Sequence, residues 1–256
     1  MTISISLSHS QDALGSVRDK RIVIIGAASG IGRATADIAA ASGARLALLD
    51  RNGDDLATVG GPDVVLRHTV DLMDAAAVRN GIVAAAAAMG GIDSLAITAG
   101  IGSTTPFDQL DEDEWDRIIA VNLTGCFRAC KAAVPFLRQS GGGSIVLVSS
   151  ATGLMPSAPG LSAYAASKAG LIGFARALSQ ELAPEIRVNT VCPGPVDTPL
   201  LPDAFRERLT QPGSGYPMQR AAAPEEIARL ILFLASDGSS YINGAAIAID
   251  GGRSMH

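Results

Sequence analysis

Short apolar runs alternate with longer stretches of helical character along the chain from Arg21 onward. The runs are nearly continuous instead of alternating with polar residues, which is typical of parallel strands covered on both faces. We predict strands at Ile22–Ile25, Leu46–Leu49, Val64–Leu66, Leu95–Ile97, Ile145–Val148, Val188–Val191 and Ala246–Ile249. We predict helices between them at Ile31–Ser42, Asp74–Met89, Glu112–Arg138, Ser162–Ala183 and Pro224–Ala235.

This regular alternation of strands and helices predicts an α/β fold, a single Rossmann-like doubly wound parallel sheet of about seven strands with helices on both faces. Asp111 followed by Glu114 is typical of a capping box at the start of the third helix. Pro184 is expected to end the fourth helix, and Pro224 to open the fifth. No linker or break in composition indicates a second domain, so we expect one domain at 20–256 after an N-terminal tail at 1–19.

Composition narrows the range of partners. The chain of 256 residues is 48% hydrophobic and 18% charged, which favours a compact domain. Its net charge of -5 and its scattered basic residues argue against a nucleic-acid partner. Met1–Asp19 lacks the features of a signal peptide, and the apolar stretch Gly81–Met89 is too short to span a bilayer. We therefore expect a cytoplasmic protein with no membrane partner.

The three cysteines, Cys126, Cys130 and Cys192, do not make a disulfide framework. Cys126 and Cys130 lie one turn apart in a predicted helix, where a buried, small apolar role is expected. No group of cysteines and histidines has the spacing of zinc ligands, so no metal is expected.

A glycine-rich loop follows the first predicted strand directly, with the spacing G-x-x-x-G-x-G. Glycine is needed there because the chain turns tightly and its backbone must approach a phosphate. The helix that follows offers free N–H groups and a positive dipole end to a pyrophosphate. We predict that this loop binds a dinucleotide through Gly26, Ser29, Gly30, Ile31 and Gly32.

Asp50 ends the second strand about twenty residues after the loop, at the position where a carboxylate binds both ribose hydroxyls of NAD. The same charge would repel the 2′-phosphate of NADP. Arg51 is the opposing signal, because a guanidinium could bind that phosphate. The loop has no lysine or arginine before Gly30, so NAD is favoured and NADP is the alternative. Asp50 could also be an ordinary residue at a strand end.

The second half of the chain carries the candidate chemistry. Ser149 and Ser150 close the fifth strand, at the sheet edge where ligands bind in open α/β folds. Tyr164 and Lys168 follow with the spacing Y-x-x-x-K, which places both on one face of a helix. Phenols are poor bases at neutral pH, and a neighbouring ammonium favours the phenolate. We predict an acid/base pair of a nicotinamide-dependent oxidoreductase, with a surface Tyr/Lys pair as the alternative.

Together these features resemble the short-chain dehydrogenase/reductase family, from about Arg21 to Gly252. The matching positions are Gly26, Gly30, Gly32, Asp50, Asp71, Ala99-Gly100, Asn122, Ser150, Tyr164, Lys168, Pro193-Gly194 and Asp250-Gly251-Gly252. The resemblance implies that Tyr164 is the general acid/base and that Lys168 assists it and binds the nicotinamide ribose. It also implies that Ser150 holds the substrate oxygen and that Asn122 supports a water relay to Lys168.

The resemblance further implies a cofactor-binding set beyond the loop. Asp71 would contact the adenine, while Val196 and Thr198 would contact the carboxamide. The remaining members of the implied set are Arg51, Leu72, Ala99, Gly100, Tyr164, Lys168, Pro193 and Gly194. Family resemblance also implies a homotetramer, and the apolar Leu171–Leu178 face of the fourth helix could pack on a partner or on the sheet.

Two positions depart from the family pattern. Ile25 stands where the family usually carries Thr, and Ile97-Thr98-Ala99-Gly100 stands where it usually reads Asn-Asn-Ala-Gly. The first and fourth strands are neighbours in this topology. We hypothesise that an apolar contact replaces a buried polar one there, a change that can be energetically neutral.

We therefore expect an NAD(H)-dependent enzyme that interconverts a secondary alcohol and a ketone. The alternatives are an NADPH-dependent 3-oxoacyl reductase and a non-catalytic dinucleotide sensor on the same fold. A serine hydrolase is disfavoured, because the chain lacks G-x-S-x-G and its histidines, His9, His68 and His256, lie beside no motif.

The expected substrate walls are mostly apolar and predict a small alicyclic, aliphatic or polyol substrate without a strong anion. They are Ile101, Leu154, Met155, Leu161 and the segment Leu200–Met218, with Phe205, Leu209, Tyr216 and Met218. The segment Gln211–Pro217 is rich in Pro and Gly and is predicted to be a mobile lid.

Overall fold

Seven parallel strands form the centre of the structure, a computed structural model that describes residues 15–156, 158–211 and 214–254. The strands are β1 Arg21–Ile25, β2 Arg45–Asp50, β3 Val64–Thr69, β4 Ser94–Ile97, β5 Gly143–Val148, β6 Ile186–Pro193 and β7 Ala246–Ile249. They lie in the order β3-β2-β1-β4-β5-β6-β7, and every neighbouring pair is parallel. The predicted doubly wound sheet is confirmed. Most of the expected tail at 1–19, with His9, and also His256 lie outside the described residues.

Each of the five predicted helices is present. They are α1 Gly30–Ala41, α3 Ala75–Met89, the pair α4 Glu112–Ile119 and α5 Gly125–Gln139, α7 Ser162–Leu182 and α9 Pro224–Ala235. A π-helical turn, Ala120–Thr124, separates α4 from α5. Among the described residues, three short α-helices and one 3-10 turn, Asp237–Ser239, were not predicted, because they are too short to show a helical period; the three α-helices are α2 Gly53–Leu56, α6 Ala151–Leu154 and α8 Asp203–Leu209.

The apolar core lies in two layers, one on each face of the sheet. Val23 and Ile25 of β1 point into the layer formed with α3, α5 and α7, while Ile22 and Ile24 point into the layer with α1 and α9. Burial on both faces explains why the strands are continuously apolar. Within the chain, the predicted Leu171–Leu178 face of α7 packs on the sheet, where Leu171 and Ala175 are core residues.

The helical run Glu112–Gln139 is, among the described residues, the one long and apolar enough to cross a membrane by length and composition alone. A core helix passes the same test. Cys126, Ala129 and Ala133 of this run are buried in the layer that contains α3.

Only half of the predicted capping box forms at α4. The Asp111 carboxylate accepts a hydrogen bond of 2.7 Å from the Glu114 N–H. The Glu114 carboxylate does not return to Asp111; it accepts bonds from the hydroxyls of Ser103 and Thr105. The hydroxyls of the short polar loop after β4 compete with the Asp111 N–H for this carboxylate. Their hydrogen bonds attach the loop to α4.

The junction of β1 and β4 tests the hypothesis about the two departures. Ile25 pairs with Ile97 in register, and both side chains are buried, so the apolar contact is present. The Thr98 hydroxyl nevertheless donates to the carbonyl oxygens of Ile25 at 2.9 Å and Gly26 at 3.1 Å. A polar contact therefore persists here, made to the backbone.

Candidate active site

A cavity of about 260 Å³ opens at the carboxyl ends of β1, β2 and β4. It gathers most of the residues that the sequence assigned to the cofactor: Gly26, Ser29, Gly30, Ile31, Gly32, Asp50, Arg51, Asp71, Leu72, Ala99, Gly100 and Thr198. Five assigned residues do not line it. Pro193, Gly194 and Val196 lie at or just after the end of β6, and Tyr164 and Lys168 lie on α7.

The glycine loop packs against the end of β4 too closely for any side chain. Gly26 has φ of +88°, and a Cβ there would lie 2.7 Å from the Ala99 Cα. A Cβ on Gly32 would overlap the Gly26 carbonyl oxygen and lie 2.5 Å from the Thr98 hydroxyl. These two glycines therefore allow the loop, the end of β4 and the start of α1 to pack in direct contact.

The N-terminus of α1 opens on the cavity without a side-chain cap. Ser29 occupies the cap position but makes no capping hydrogen bond, and the first turn contains no acidic residue. By contrast, Asp74 caps α3 and Asp111 caps α4 through their carboxylates. The first N–H groups of α1, together with the positive end of its dipole, can therefore bind an anion such as a pyrophosphate.

Both signs of charge line this cavity near the end of β2. The Asp50 carboxylate accepts bonds of 2.9 Å from the N–H groups of Ala28 and Asn52, so it orders the glycine loop. Carboxylate oxygens have further lone pairs, so Asp50 can still accept from a ribose. Arg51 lines the same cavity, which keeps a 2′-phosphate chemically compatible with it.

Several residues that line the cavity were not predicted from the sequence, and Arg117 is the most informative of them. Its guanidinium-bearing side chain lines the cavity together with Val121, four residues later. The signal for this pair was present in the chain, because positions four apart share a helix face and the predicted helix runs through both. Thr98 and Met73 also line the cavity and were not assigned to it.

Asn122 lies in the π-helical turn and is fully buried. Its side-chain amide bonds both backbone groups of Ile101 at 2.9 Å and donates to the Ser167 hydroxyl at 3.1 Å. Single π-helical turns often occur at functional sites. Here the turn brings Asn122 to the residue that precedes Lys168, and it fastens the loop after β4 to α7.

Lys168 is 4% exposed and lies beside Tyr164 on α7. Its Nζ donates a 2.9 Å hydrogen bond to the Val148 carbonyl oxygen at the end of β5 and lies 5.8 Å from the centre of the Tyr164 ring. The Ser149 hydroxyl donates to the Lys168 carbonyl oxygen at 2.8 Å. These bonds fix the ammonium at the carboxyl edge of the sheet, next to the half-buried phenol ring.

Gly100 connects the catalytic candidates with the cavity. A Cβ on Gly100 would lie 3.1 Å from the Lys168 Nζ and 3.3 Å from the Asn122 Oδ1. Gly100 also lines the cavity. The lysine and asparagine head groups therefore lie directly behind that cavity's wall.

Ser150 caps the short helix α6, where its Oγ accepts a 3.1 Å bond from the Thr152 N–H. Capping uses a lone pair of the hydroxyl and leaves its hydrogen for another acceptor. Ser150 is two residues beyond β5, and Gly153 of α6 packs on the backbone of Lys168. The structure thus brings Ser150, Tyr164 and Lys168 to the same end of the sheet.

The cysteines are not candidates for nucleophilic chemistry. Burial raises the pKa of Cys126 to about 11, raises that of Cys130 well above its ordinary value and also raises that of Cys192. A thiol with a raised pKa is a poor nucleophile at neutral pH. Their buried positions agree with the apolar role predicted for Cys126 and Cys130.

The expected substrate walls divide into two groups. Ile101, Leu154 and Leu161 are half-buried, and Met155, Leu200 and Met218 are exposed, as lining residues of an open site would be. Leu209, the last residue of α8, was also expected as a wall but is 1% exposed. Burial removes this apolar side chain from water at the end of a short helix.

Comparison with known proteins agrees with this arrangement. A family model described as enoyl-(acyl carrier protein) reductase matches residues 26–254. The 3-oxoacyl-[acyl-carrier-protein] reductase of Thermotoga maritima is 40% identical over 242 residues, covering 91% of this chain and 97% of that protein. The trans-4-hydroxycyclohexanecarboxylate dehydrogenase of Sinomonas cyclohexanicum is 40% identical over 250 residues, covering 93% of each.

A solved structure has the same architecture. The short-chain dehydrogenase/reductase of Brucella melitensis, described as a glucose/ribitol dehydrogenase, superposes with a TM-score of 0.88 at 34% identity, covering 94% of this chain and 99% of that one. The fold and site define an α/β oxidoreductase. The chain belongs to the short-chain dehydrogenase/reductase family.

Proposed function

We propose that the chain is an NAD(H)-dependent oxidoreductase that interconverts a secondary alcohol and a ketone. The observation that carries this proposal is the position of Lys168, a buried ammonium fixed by Val148 beside Tyr164 and directly behind a glycine-lined cavity. Among the described residues Lys168 has no carboxylate partner, and such a buried lysine is costly to stability and needs a compensating role. Promotion of proton transfer at the neighbouring phenol is such a role.

The residues around the cavity fit a dinucleotide. The open N-terminus of α1 would hold the pyrophosphate, Asp50 the adenosine ribose, Asp71 the adenine, and Thr198 the carboxamide. When bound, the nicotinamide supplies the site that accepts or gives up a hydride.

The chain's own residues would move the proton. In the oxidation direction, the Tyr164 phenolate oxygen accepts the hydroxyl proton of the alcohol; in reduction it returns that proton to the ketone oxygen. The Ser150 hydroxyl orients the substrate oxygen, and the Lys168 ammonium stabilises the phenolate. Positioning and general acid/base catalysis then account for the rate.

Replacement of the phenol tests the chemistry. We expect Tyr164→Phe to lower kcat by roughly 100- to 10,000-fold, the range for loss of a general acid/base. The dissociation constant for NAD, measured by fluorescence titration, should change little. Undiminished turnover by Tyr164→Phe would remove the catalytic assignment. Dinucleotide binding by a wild type that turns over no alcohol or ketone would favour the non-catalytic sensor.

The choice of cofactor rests on Asp50, which lines the cavity at the end of β2, where the ribose would bind. We expect faster initial rates with NADH than with NADPH at equal concentrations. Asp50→Asn should narrow that preference, because it removes the charge that repels a 2′-phosphate. The second candidate is an NADPH-dependent 3-oxoacyl reductase, favoured by Arg51 and by the likeness to the Thermotoga protein. A preference for NADPH in the wild type would select it.

We also propose that the enzyme is a homotetramer in the cytoplasm. An apolar group remains exposed on the outer face of α5, where the 45% exposed Phe127 meets the Phe174 ring edge-on at 6.2 Å. Burial against another subunit would remove this surface from water. Light scattering should give a tetramer for the wild type and smaller species for Phe127→Glu. A monomeric wild type would contradict the proposal.

A further inference from the structure

Arg253 is the one arginine that is buried among the described residues, with 8% of its surface exposed. Its guanidinium makes a single hydrogen bond within the described part of the chain, a 3.0 Å bond from Nη2 to the Met155 carbonyl oxygen. Arginines are almost never buried unless they are paired. The remaining N–H groups of Arg253 are therefore available to another acceptor.

Arg187 is a half-buried arginine in the same structure, and its guanidinium has a structural role. It donates to the carbonyl oxygens of Leu234, Ser236 and Ile242 at 3.0, 2.9 and 3.3 Å. Arg253 has one such acceptor. The nearby Asp250 does not replace the missing ones, because its carboxylate accepts from the Ser254 hydroxyl and from the N–H groups of Gly252 and Ser254.

The unused N–H groups of Arg253 face space that water can enter. Among the described residues, the Ser94 hydroxyl is the only fully enclosed side-chain polar atom without a hydrogen-bond partner. The free nitrogens of Arg253 are therefore not sealed in the core. Water, or a ligand that replaces it, can therefore reach them.

Arg253 lies at the same edge of the sheet as the catalytic candidates. Arg253 follows β7 and Ser150 follows β5, and β6 alone lies between those two parallel strands. Strand spacing places the two strand ends about 10 Å apart at the same sheet edge. The Arg253 segment is bordered by Met155, by Pro217 beside Gly252 and by Met218 beside Gly251, all in stretches expected to line the substrate.

We propose that Arg253 binds a carboxylate of the substrate, so that the substrate is a hydroxy acid or oxo acid whose carboxylate is separated from the carbinol by an alicyclic or aliphatic body. A guanidinium can bind a carboxylate with two parallel hydrogen bonds, which supplies orientation as well as affinity. The apolar walls at Leu154, Met155 and Met218 suit the hydrocarbon body. This inference rests on the proposed function and departs from the expectation of a substrate without a strong anion.

Two substrates that differ only in the charge of one group isolate the contribution of the carboxylate. With NAD, kcat/KM is measured for 4-hydroxycyclohexanecarboxylate and for 4-hydroxycyclohexanecarboxamide, which keeps the ring and the carbinol. Hydrogen bonds to charged groups predict that the wild type prefers the acid by roughly 10-fold or more. Arg253→Gln should remove that preference by acting on the acid alone, and Arg253→Lys should restore part of it.

Two controls test whether Arg253→Gln acts only by disturbing the structure. Arg45→Gln makes the same charge change at the start of β2, on the opposite sheet edge, and should leave both substrates unaffected. Titration of cyclohexanecarboxylate into the enzyme with NAD should show weaker binding for Arg253→Gln, even if turnover is slow.

Three results would overturn the role of Arg253. They are equal losses on acid and amide, unchanged carboxylate binding in Arg253→Gln, and a change in oligomeric mass showing that Arg253 pairs with another subunit. Failure of the proposed function looks different, because the wild type would then turn over neither the acid nor the amide.

Discussion

The two sides of the site are built from different parts of the chain. The proposed cofactor side is made mainly by backbone: the glycine loop, the open end of α1 and the closely packed end of β4. The proposed substrate side is made by side chains from the loop after β4, from α6 and from the segment after β7. A backbone site tolerates few changes at its glycines, whereas a side-chain site can change specificity residue by residue.

The largest effect should follow from a methyl group on the cofactor side. A Cβ at position 32 would overlap the Gly26 carbonyl oxygen, so Gly32→Ala must displace the loop or α1. We expect a loss of roughly 1–3 kcal/mol in the free energy of unfolding. The dissociation constant for the dinucleotide, measured by titration, should rise by at least about 10-fold, a change of 1.4 kcal/mol.

Gly173→Ala is the matched control. Gly173 lies within α7, and a Cβ there meets nothing within 4 Å. Alanine is favoured over glycine inside a helix by about 0.5–1 kcal/mol, so this variant should be more stable than the wild type. Tight dinucleotide binding by Gly32→Ala would show that the cofactor side is not determined by its backbone.

A moderate effect is expected from the substrate side. The Glu114 carboxylate holds the loop after β4 through the hydroxyls of Ser103 and Thr105. Glu114→Gln weakens these bonds by about 1 kcal/mol and should raise the substrate KM by roughly 3- to 10-fold. Asp113→Asn, on the same helical turn, is the control. A comparable rise in the dinucleotide dissociation constant would show that the two sides are not independent.

This division also explains what could be predicted from the sequence. The strands and the glycine loop were predictable because continuous apolar runs and glycine spacing reflect local backbone requirements. Arg253 was not assigned a role, because its importance depends on burial against Met155, nearly a hundred positions away. The inward turn of Leu209 and the second role of Glu114 likewise depend on contacts that no local pattern encodes.

A smaller effect is expected where β1 meets β4. Thr98→Val removes the hydroxyl that donates to the carbonyl oxygens of Ile25 and Gly26, and Ile25 keeps its backbone bond from the Thr98 N–H. We expect a loss of about 1 kcal/mol of stability in urea unfolding and a modest weakening of dinucleotide binding. Thr98→Ser keeps the hydroxyl and should restore both. A change in substrate KM without a change in dinucleotide affinity would contradict this assignment, because it would place Thr98 on the substrate side.

The smallest effect concerns an ion pair at the amino edge of the sheet, remote from both sides of the site. Burial alone would raise the pKa of Asp93, but hydrogen bonds from the Arg21 side chain and N–H outweigh it and hold that pKa below its ordinary value. The pair therefore stabilises the fold above the unfolded pKa, near 3.9, and its contribution is lost as pH falls through the folded value. We expect Asp93→Asn to lower stability by roughly 0.5–1 kcal/mol at pH 7. The difference in Tm from the wild type should shrink below about pH 4. Dinucleotide affinity and substrate KM should both stay at wild-type values at pH 7; a change in either would mean that the amino edge also positions the site.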